Sequence, residues 1–252
     1  MTTVDPALRE RRERVFLVLA AVFLSAMTLL NVIGLTRFIQ LGPLALAVGV
    51  LPYPLTFLCT DLISELYGRA RANFLVTVGL GINIFIIATL TLGNIAPSVP
   101  AETMPPWQTL PLAAPVALPN GTEVSGEIGL YQLIYATTTG AVFASMLAYI
   151  AAQYCDVHLF HFWKKLTGGK HLWLRNNFST LLSQLVDSVT VIVVTFGAVY
   201  WRGDMTLTTL LTLMGSNYAF KALAALADTL PLYFLVARLR RYLALGPNEE
   251  AI

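Results

Sequence analysis

The chain has 252 residues, of which 56% are hydrophobic and 12% charged, with a formal net charge of +2. Soluble domains carry about twice that share of charge, so the composition points to an integral membrane protein and sets a soluble globular domain aside. Cys59 and Cys155 form no C-x-x-C pair and sit in apolar surroundings, which speaks against a disulfide framework or a zinc site and for small apolar filling.

Residues 1–14 are polar and hold Arg9, Arg11, Arg12 and Arg14. An apolar run, 15–38, follows. It is too long for a signal-peptide core, lacks a clear cleavage site and is followed by further apolar segments, so it reads as a first membrane helix. Asn31 lies deep inside it and needs a partner, from another helix or from a ligand. The second segment, 43–66, contains Pro52 and Pro54 and predicts a kinked or broken helix. Such breaks line cavities in many transporters. The same segment carries Asp61 and Glu65, four residues apart and so on one helix face. A carboxylate near the bilayer centre costs roughly 2.5–3.5 kcal/mol. Two on one face read as a functional site, or as a helix end in headgroup water beside Arg69 and Arg71.

A third span, 72–93, has Asn83 as its main polar group. The stretch 94–128 holds seven of the thirteen prolines. A loop of that length is a lid, an extended surface segment or a disordered stretch. It contains a glycosylation-type sequon, Asn120-Gly121-Thr122, and Trp107 as an interfacial anchor. The fourth span, 129–154, carries a stripe of Gly140, Ala144, Ala148 and Ala152 that lets helices approach closely and leaves a homodimer open. After it, Asp156, His158, His161, Trp163, Lys164 and Lys165 read as an interfacial helix rather than a metal site.

The fifth span, 172–201, has Thr180, Gln184, Asp187 and Ser188 at helical spacing. A polar face of that length must point into a bundle. The sixth, 207–239, holds Asn217, Tyr218, Lys221, Asp228 and Pro231. Buried Lys221 needs a carboxylate, and Asp61, Glu65, Asp187 and Asp228 are the candidates. A short polar tail, 242–252, closes the chain.

Twelve of the sixteen Lys and Arg fall before the first span, at Arg69 and Arg71, at Lys164, Lys165 and Lys170, and at Arg238, Arg240 and Arg241. Six crossings put all four groups on one face. The expected fold is therefore an all-α integral membrane bundle of six transmembrane helices in the inner membrane, with N- and C-termini cytoplasmic. The two halves then run in opposite senses, which permits a 3+3 inverted repeat. No P-loop, nucleophile elbow or H-E-x-x-H motif is present. Neither a cofactor nor a resident metal is expected, and no basic and aromatic surface suggests nucleic acid.

Tyr53-Pro54-x-Thr56-Phe57-x-x-Thr60-Asp61-x-x-x-Glu65-x-Tyr67-Gly68 resembles the signature of the queuosine precursor transporter family, also called the vitamin uptake transporter family. Trp173-x-Arg175-Asn176-Asn177-x-Ser179-Thr180, Ser183-Gln184-x-x-Asp187 and Tyr218-x-x-Lys221 are similar to it too. The likeness covers about residues 15–240, and the loop 94–128 looks expanded. The resemblance implies uptake of cyano- or aminomethyl-deazaguanine, or of queuine. Such a ligand has a flat ring, a donor edge and a carbonyl acceptor. Carboxylates suit the donor edge, amides suit both kinds of group, and aromatic rings stack. The expected substrate-binding residues are Asn31, Tyr53, Phe57, Asp61, Glu65, Gln184, Asp187 and Lys221. Thr60, Arg175, Asn177, Asn217 and Asp228 are secondary candidates. A carrier acting alone is the leading reading. A substrate-capture subunit of a multi-component uptake system is the alternative, and an intramembrane enzyme ranks last.

Overall fold

The computed structural model describes residues 5–34, 36–41, 44–117, 123–168, 170–201, 203, 205–247 and 249–251. The sequon at 120–122 lies outside them. Five helices carry the fold: α1 (Pro6–Ile33), α2 (Tyr53–Ile95), α3 (Leu130–Leu166), α4 (Leu172–Trp201) and α5 (Leu207–Tyr242). Asp5 caps α1, accepting from the Ala7 N–H, and Thr206 caps α5, accepting from Thr209. Both satisfy donors that a helix start leaves open.

α2 folds into two antiparallel halves. Its 43 residues would extend about 65 Å if straight, but the chain turns at Gly68, which has φ 82° and ψ 173°. A left-handed φ favours glycine. Contacts with α1 give the direction of each half. Tyr53 and Thr56 line the same cavity as Asn31, and Tyr67 donates to the Arg12 carbonyl, so 53–67 runs antiparallel to α1. Beyond the turn, Arg71 meets Glu13 and Asn83 meets Asn31, so 69–95 runs parallel to it. Among the described residues, five continuous helices thus give six helical segments. Four stretches, Pro6–Ile33, Val48–Ile95, Leu172–Val194 and Leu207–Tyr242, are long and apolar enough to cross a membrane. Large apolar side chains such as Leu17, Phe74, Phe85 and Trp201 face outward, as lipid requires and water would penalise. The protein is a multi-pass helical membrane bundle.

The expected second span, 43–66, is helical only from Tyr53. Before it the chain forms an antiparallel hairpin of β1 (Phe38–Leu41) and β2 (Leu44–Ala47) and a short 3-10 turn, Val48–Val50. Pro52 and Pro54 therefore do not break a helix. Pro52 is the N-cap residue and Pro54 lies in the first turn, where no backbone N–H is missed. At 1.5 Å per residue, 53–67 rises only about 22 Å, short of a bilayer core. The fourth span is longer than expected. α3 continues unbroken to Leu166, so Asp156, His158 and His161 lie within a helix and not in a separate interfacial piece. Ala148 and Ala152 are buried inside the chain, so that part of the small-residue stripe serves contacts between its own helices.

The loop after α2 is built as a ladder. β3 (Thr109–Pro111) pairs with β6 (Glu127–Gly129), and β4 (Val116–Ala117) pairs with β5 (Glu123–Val124), all antiparallel. Ile128 and Ala136 seat its base against α3. At the opposite end the tail is not a free polar terminus. Leu243 and Ala251 are buried in the main core cluster with Phe23, Cys59, Leu66 and Tyr67. Arg12 donates to the Leu243 carbonyl, so both ends of the described chain lie at one end of the bundle.

Candidate functional site

Three groups of ionisable side chains are stacked along the bundle, and they differ in what their partners are. The upper group surrounds a small, largely enclosed cavity. α1 supplies Met27 and Asn31, the start of α2 supplies Tyr53 and Thr56, α4 supplies Asp187, and α5 supplies Lys221. Tyr149 of α3 completes the wall. Asp187 and Lys221 are 5% and 6% exposed and form a direct ion pair. The Lys221 ammonium also sits 4.5 Å from the centroid of the Tyr53 ring, a cation–π contact. Tyr53 stacks obliquely on Phe57 at 5.3 Å and its hydroxyl reaches Asp187. Asn31 donates 2.7 Å to the Asn83 side chain, which holds its amide in place at the cavity edge. Gly79 keeps the wall thin. A Cβ there would stand 3.1 Å from both the Met27 sulfur and the Tyr149 hydroxyl.

The arrangement offers what a flat polar heterocycle needs. One carboxylate accepts, one ammonium and one amide donate, and one aromatic ring presents a face. The polar face predicted for α4 does point inward. Ser179, Thr180, Ser183, Gln184 and Ser188 are all buried with Asp187. The carboxylate that Lys221 needs is Asp187.

The middle group lies two helical turns below Tyr53. Asp61 of α2 and Asp156 of α3 come within hydrogen-bonding reach of each other, and Ser183 donates 3.0 Å to Asp156. Gln184 is buried one turn before Asp187. Thr60 bonds its own helix at the carbonyls of Thr56 and Phe57.

The lower group centres on Glu65, which lies three turns from Tyr53 and does not line the upper cavity. It accepts 2.8 Å from Arg240 and stands 3.8 Å from Lys164. Lys164 also meets Glu250 at 3.6 Å, and Glu249 meets Arg12 at 3.7 Å. The Ala251 N–H donates 2.7 Å to the Leu66 carbonyl, just before the Gly68 turn. This cluster fastens the tail to the helix turn.

Of the residues singled out by sequence, the structure gathers Asn31, Tyr53, Asp187 and Lys221 at the cavity, with Phe57 behind. Asp61 and Glu65 belong to the other two groups. Asn177 joins α4 to α5 by accepting from Thr229 and donating to the Trp173 carbonyl. Asn217 and Asp228 are half-buried on α5, and the Arg175 side chain lies outside the described residues. Sequence reasoning missed Asp156, Tyr149 and Asn83 as site residues. Asn83 carried a signal, being the main polar group of its span. Asp156 carried one too, but it was hidden by the assumption that the helix ends before it.

A family model described as "putative vitamin uptake transporter" matches residues 47–236. A probable queuosine precursor transporter of Bacillus subtilis (strain 168) is 25% identical over 165 residues, which covers 65% of this chain and 62% of the relative. The matched region thus spans less than two thirds of that relative's length. No solved structure matches the chain. On the extent of the family match, which takes in the cavity residues from Tyr53 to Lys221, the chain belongs to the putative vitamin uptake transporter family.

Proposed function

We propose that the chain imports a queuosine precursor, a 7-deazaguanine in its cyano or aminomethyl form or as queuine, across the inner membrane. Membership of a transporter family makes transport, not chemical turnover, its work. The observation that carries the proposal is the buried Asp187–Lys221 pair beneath the Tyr53 ring at the edge of a cavity. A deazaguanine would stack on Tyr53, give its amino and ring N–H edge to Asp187, and accept at its carbonyl from Lys221 or Asn31. Gln184, buried one turn before Asp187, adds an amide to the same helix face. The relative's name agrees with this ligand class.

The basic residues support a cytoplasmic placement of the lower end. Arg12, Arg71, Lys164 and Arg240 all gather there, as the positive-inside rule expects. The first three passes and the last three run in opposite senses, which supports an inverted repeat with Asp61 and Asp187 in its middle members.

The test is uptake of labelled 7-cyano-7-deazaguanine by cells lacking their own carrier and synthesis. Wild-type protein gives uptake that excess unlabelled compound competes away. Asp187→Asn keeps the shape but loses a charged acceptor, an effect of about 1.5–3 kcal/mol, roughly tenfold to a hundredfold. Equal uptake by Asp187→Asn and wild type would place the ligand elsewhere. Uptake by purified protein in liposomes, without ATP or a second subunit, separates a carrier from a capture subunit.

A further inference from the structure

Charge balance inside the bundle singles out the middle group. Asp187 is neutralised by Lys221, and Glu65 by Arg240 and Lys164. Asp61 and Asp156 are 3% and 1% exposed, and among the described residues no Lys, Arg or His forms an ion pair with either. What surrounds them is acidic or neutral. Asp228 from α5 adds a further negative charge near Asp61, and Tyr53 feels Asp156 from the cavity side. From α4, Ser179, Thr180 and Ser183 face the pair. Glu65, one turn below Asp61, keeps its own two cations.

The hydroxyls of α4 leave the pair unevenly served. Ser183 donates to Asp156, which also has Ser179 and Thr180 beside it. The Asp61 Oδ1 is buried without a hydrogen bond. Two ionised carboxylates in contact, away from water and without a cation, combine repulsion with the cost of desolvation. One added proton removes both problems. It turns two acceptors into a donor and an acceptor, and a carboxyl–carboxylate hydrogen bond is among the strong ones.

We propose that Asp61 and Asp156 form a one-proton site, and that this proton crosses with the substrate and couples uptake to the proton gradient. The proposal rests on the transport reading above. A proton taken up from one side joins α2 to α3 through the pair, and its release to the other side restores two carboxylates that push these helices apart. The site shares α2 and α4 with the substrate cavity: Tyr53 and Asp61 lie on one helix, Asp187 and Ser183 on the other. Occupancy of either place is therefore felt at the other through two continuous helices.

Two measurements test it, one of them independent of any substrate. Infrared difference spectra of the protein in liposomes, taken between acidic and alkaline buffer, show a protonated-carboxyl C=O band that shifts in heavy water. One component of that band, beyond what the exposed carboxyls give, is lost in both Asp61→Asn and Asp156→Asn. A spectrum unchanged by both substitutions overturns the site. Proteoliposomes given labelled 7-cyano-7-deazaguanine supply the second arm. An inward proton gradient drives accumulation by wild type. Asp156→Asn still exchanges internal for external compound, which shows that it is folded, but its gradient-driven accumulation falls by a coupling factor of about 5- to 150-fold. Accumulation by Asp156→Asn at the wild-type level, or driven by sodium at constant pH, overturns the coupling. Wild-type protein that neither exchanges nor accumulates the compound refutes the substrate reading, and the infrared band then decides the proton site by itself.

Discussion

The cavity pair and the lower cluster are made from the same chemistry and end in opposite states. Asp187 and Lys221 pair with each other and line the cavity, where a ligand can meet them. Glu65 is held by Arg240 and Lys164, and those two cations are tied in turn to Gly246 and Glu250. A membrane carboxylate is thus not a binding site merely because it is expensive to bury. What decides is whether its partner atoms are already taken. At the cavity they are partly free, and at the lower end they lock the tail onto the Gly68 turn.

That contrast can be broken or sharpened by substitution. The largest effect is expected at the cavity. Lys221→Met leaves Asp187 buried without its cation, which costs about 3–5 kcal/mol and lowers the unfolding temperature in detergent. Adding Asp187→Leu to it recovers most of the stability, because an apolar pair can replace a buried ion pair, while uptake stays lost. If the single substitution unfolds no earlier than wild type, the pair is not desolvated as described. Glu65→Gln comes next. It frees Arg240 from a charged partner and costs about 1–3 kcal/mol, yet ligand affinity changes by less than about twofold, as distant sites are nearly independent. A large loss of affinity in a folded Glu65→Gln protein would erase the distinction between the two regions. The smallest effect is at the exposed Glu10–Arg14 pair, 2.6 Å apart on α1. Glu10→Ala shifts stability by no more than about 0.5 kcal/mol, because such pairs are screened by water.

Much of the bundle was legible in the sequence because lipid imposes strict rules. Apolar runs of spanning length, the inward polar face of α4 and the need of Lys221 for a carboxylate all follow from the cost of polar groups in hydrocarbon. The pairing of those groups was not legible. Asp61, Glu65 and Asp187 looked alike, since spacing along a helix tells which residues share a face but not which helix lies across from it. Asp156 was misread for a related reason. A mixed stretch of Trp, Lys and His resembles an interface, and only the unbroken course of α3 places Asp156 inside. Pro52 and Pro54 were read as a break because proline marks a helix start and a helix interruption with the same letter. The docking of Leu243 and Ala251 left no local trace, as their partners lie on α1 and α2.

The seating of the tail bears on the order in which the molecule is made. Arg12 waits for the carbonyl of Leu243, which leaves the ribosome 231 residues later. Glu65 and the Leu66 carbonyl wait almost as long for Arg240 and Ala251. The first three passes therefore enter the membrane with their lower end unfinished, and its polar groups are served by water or by the insertion machinery until the last helix arrives. A chain that ends before α5 has all but the last segment of the bundle and leaves Glu65 without Arg240 at that end, a mark by which membrane quality control could tell the fragment from the completed protein.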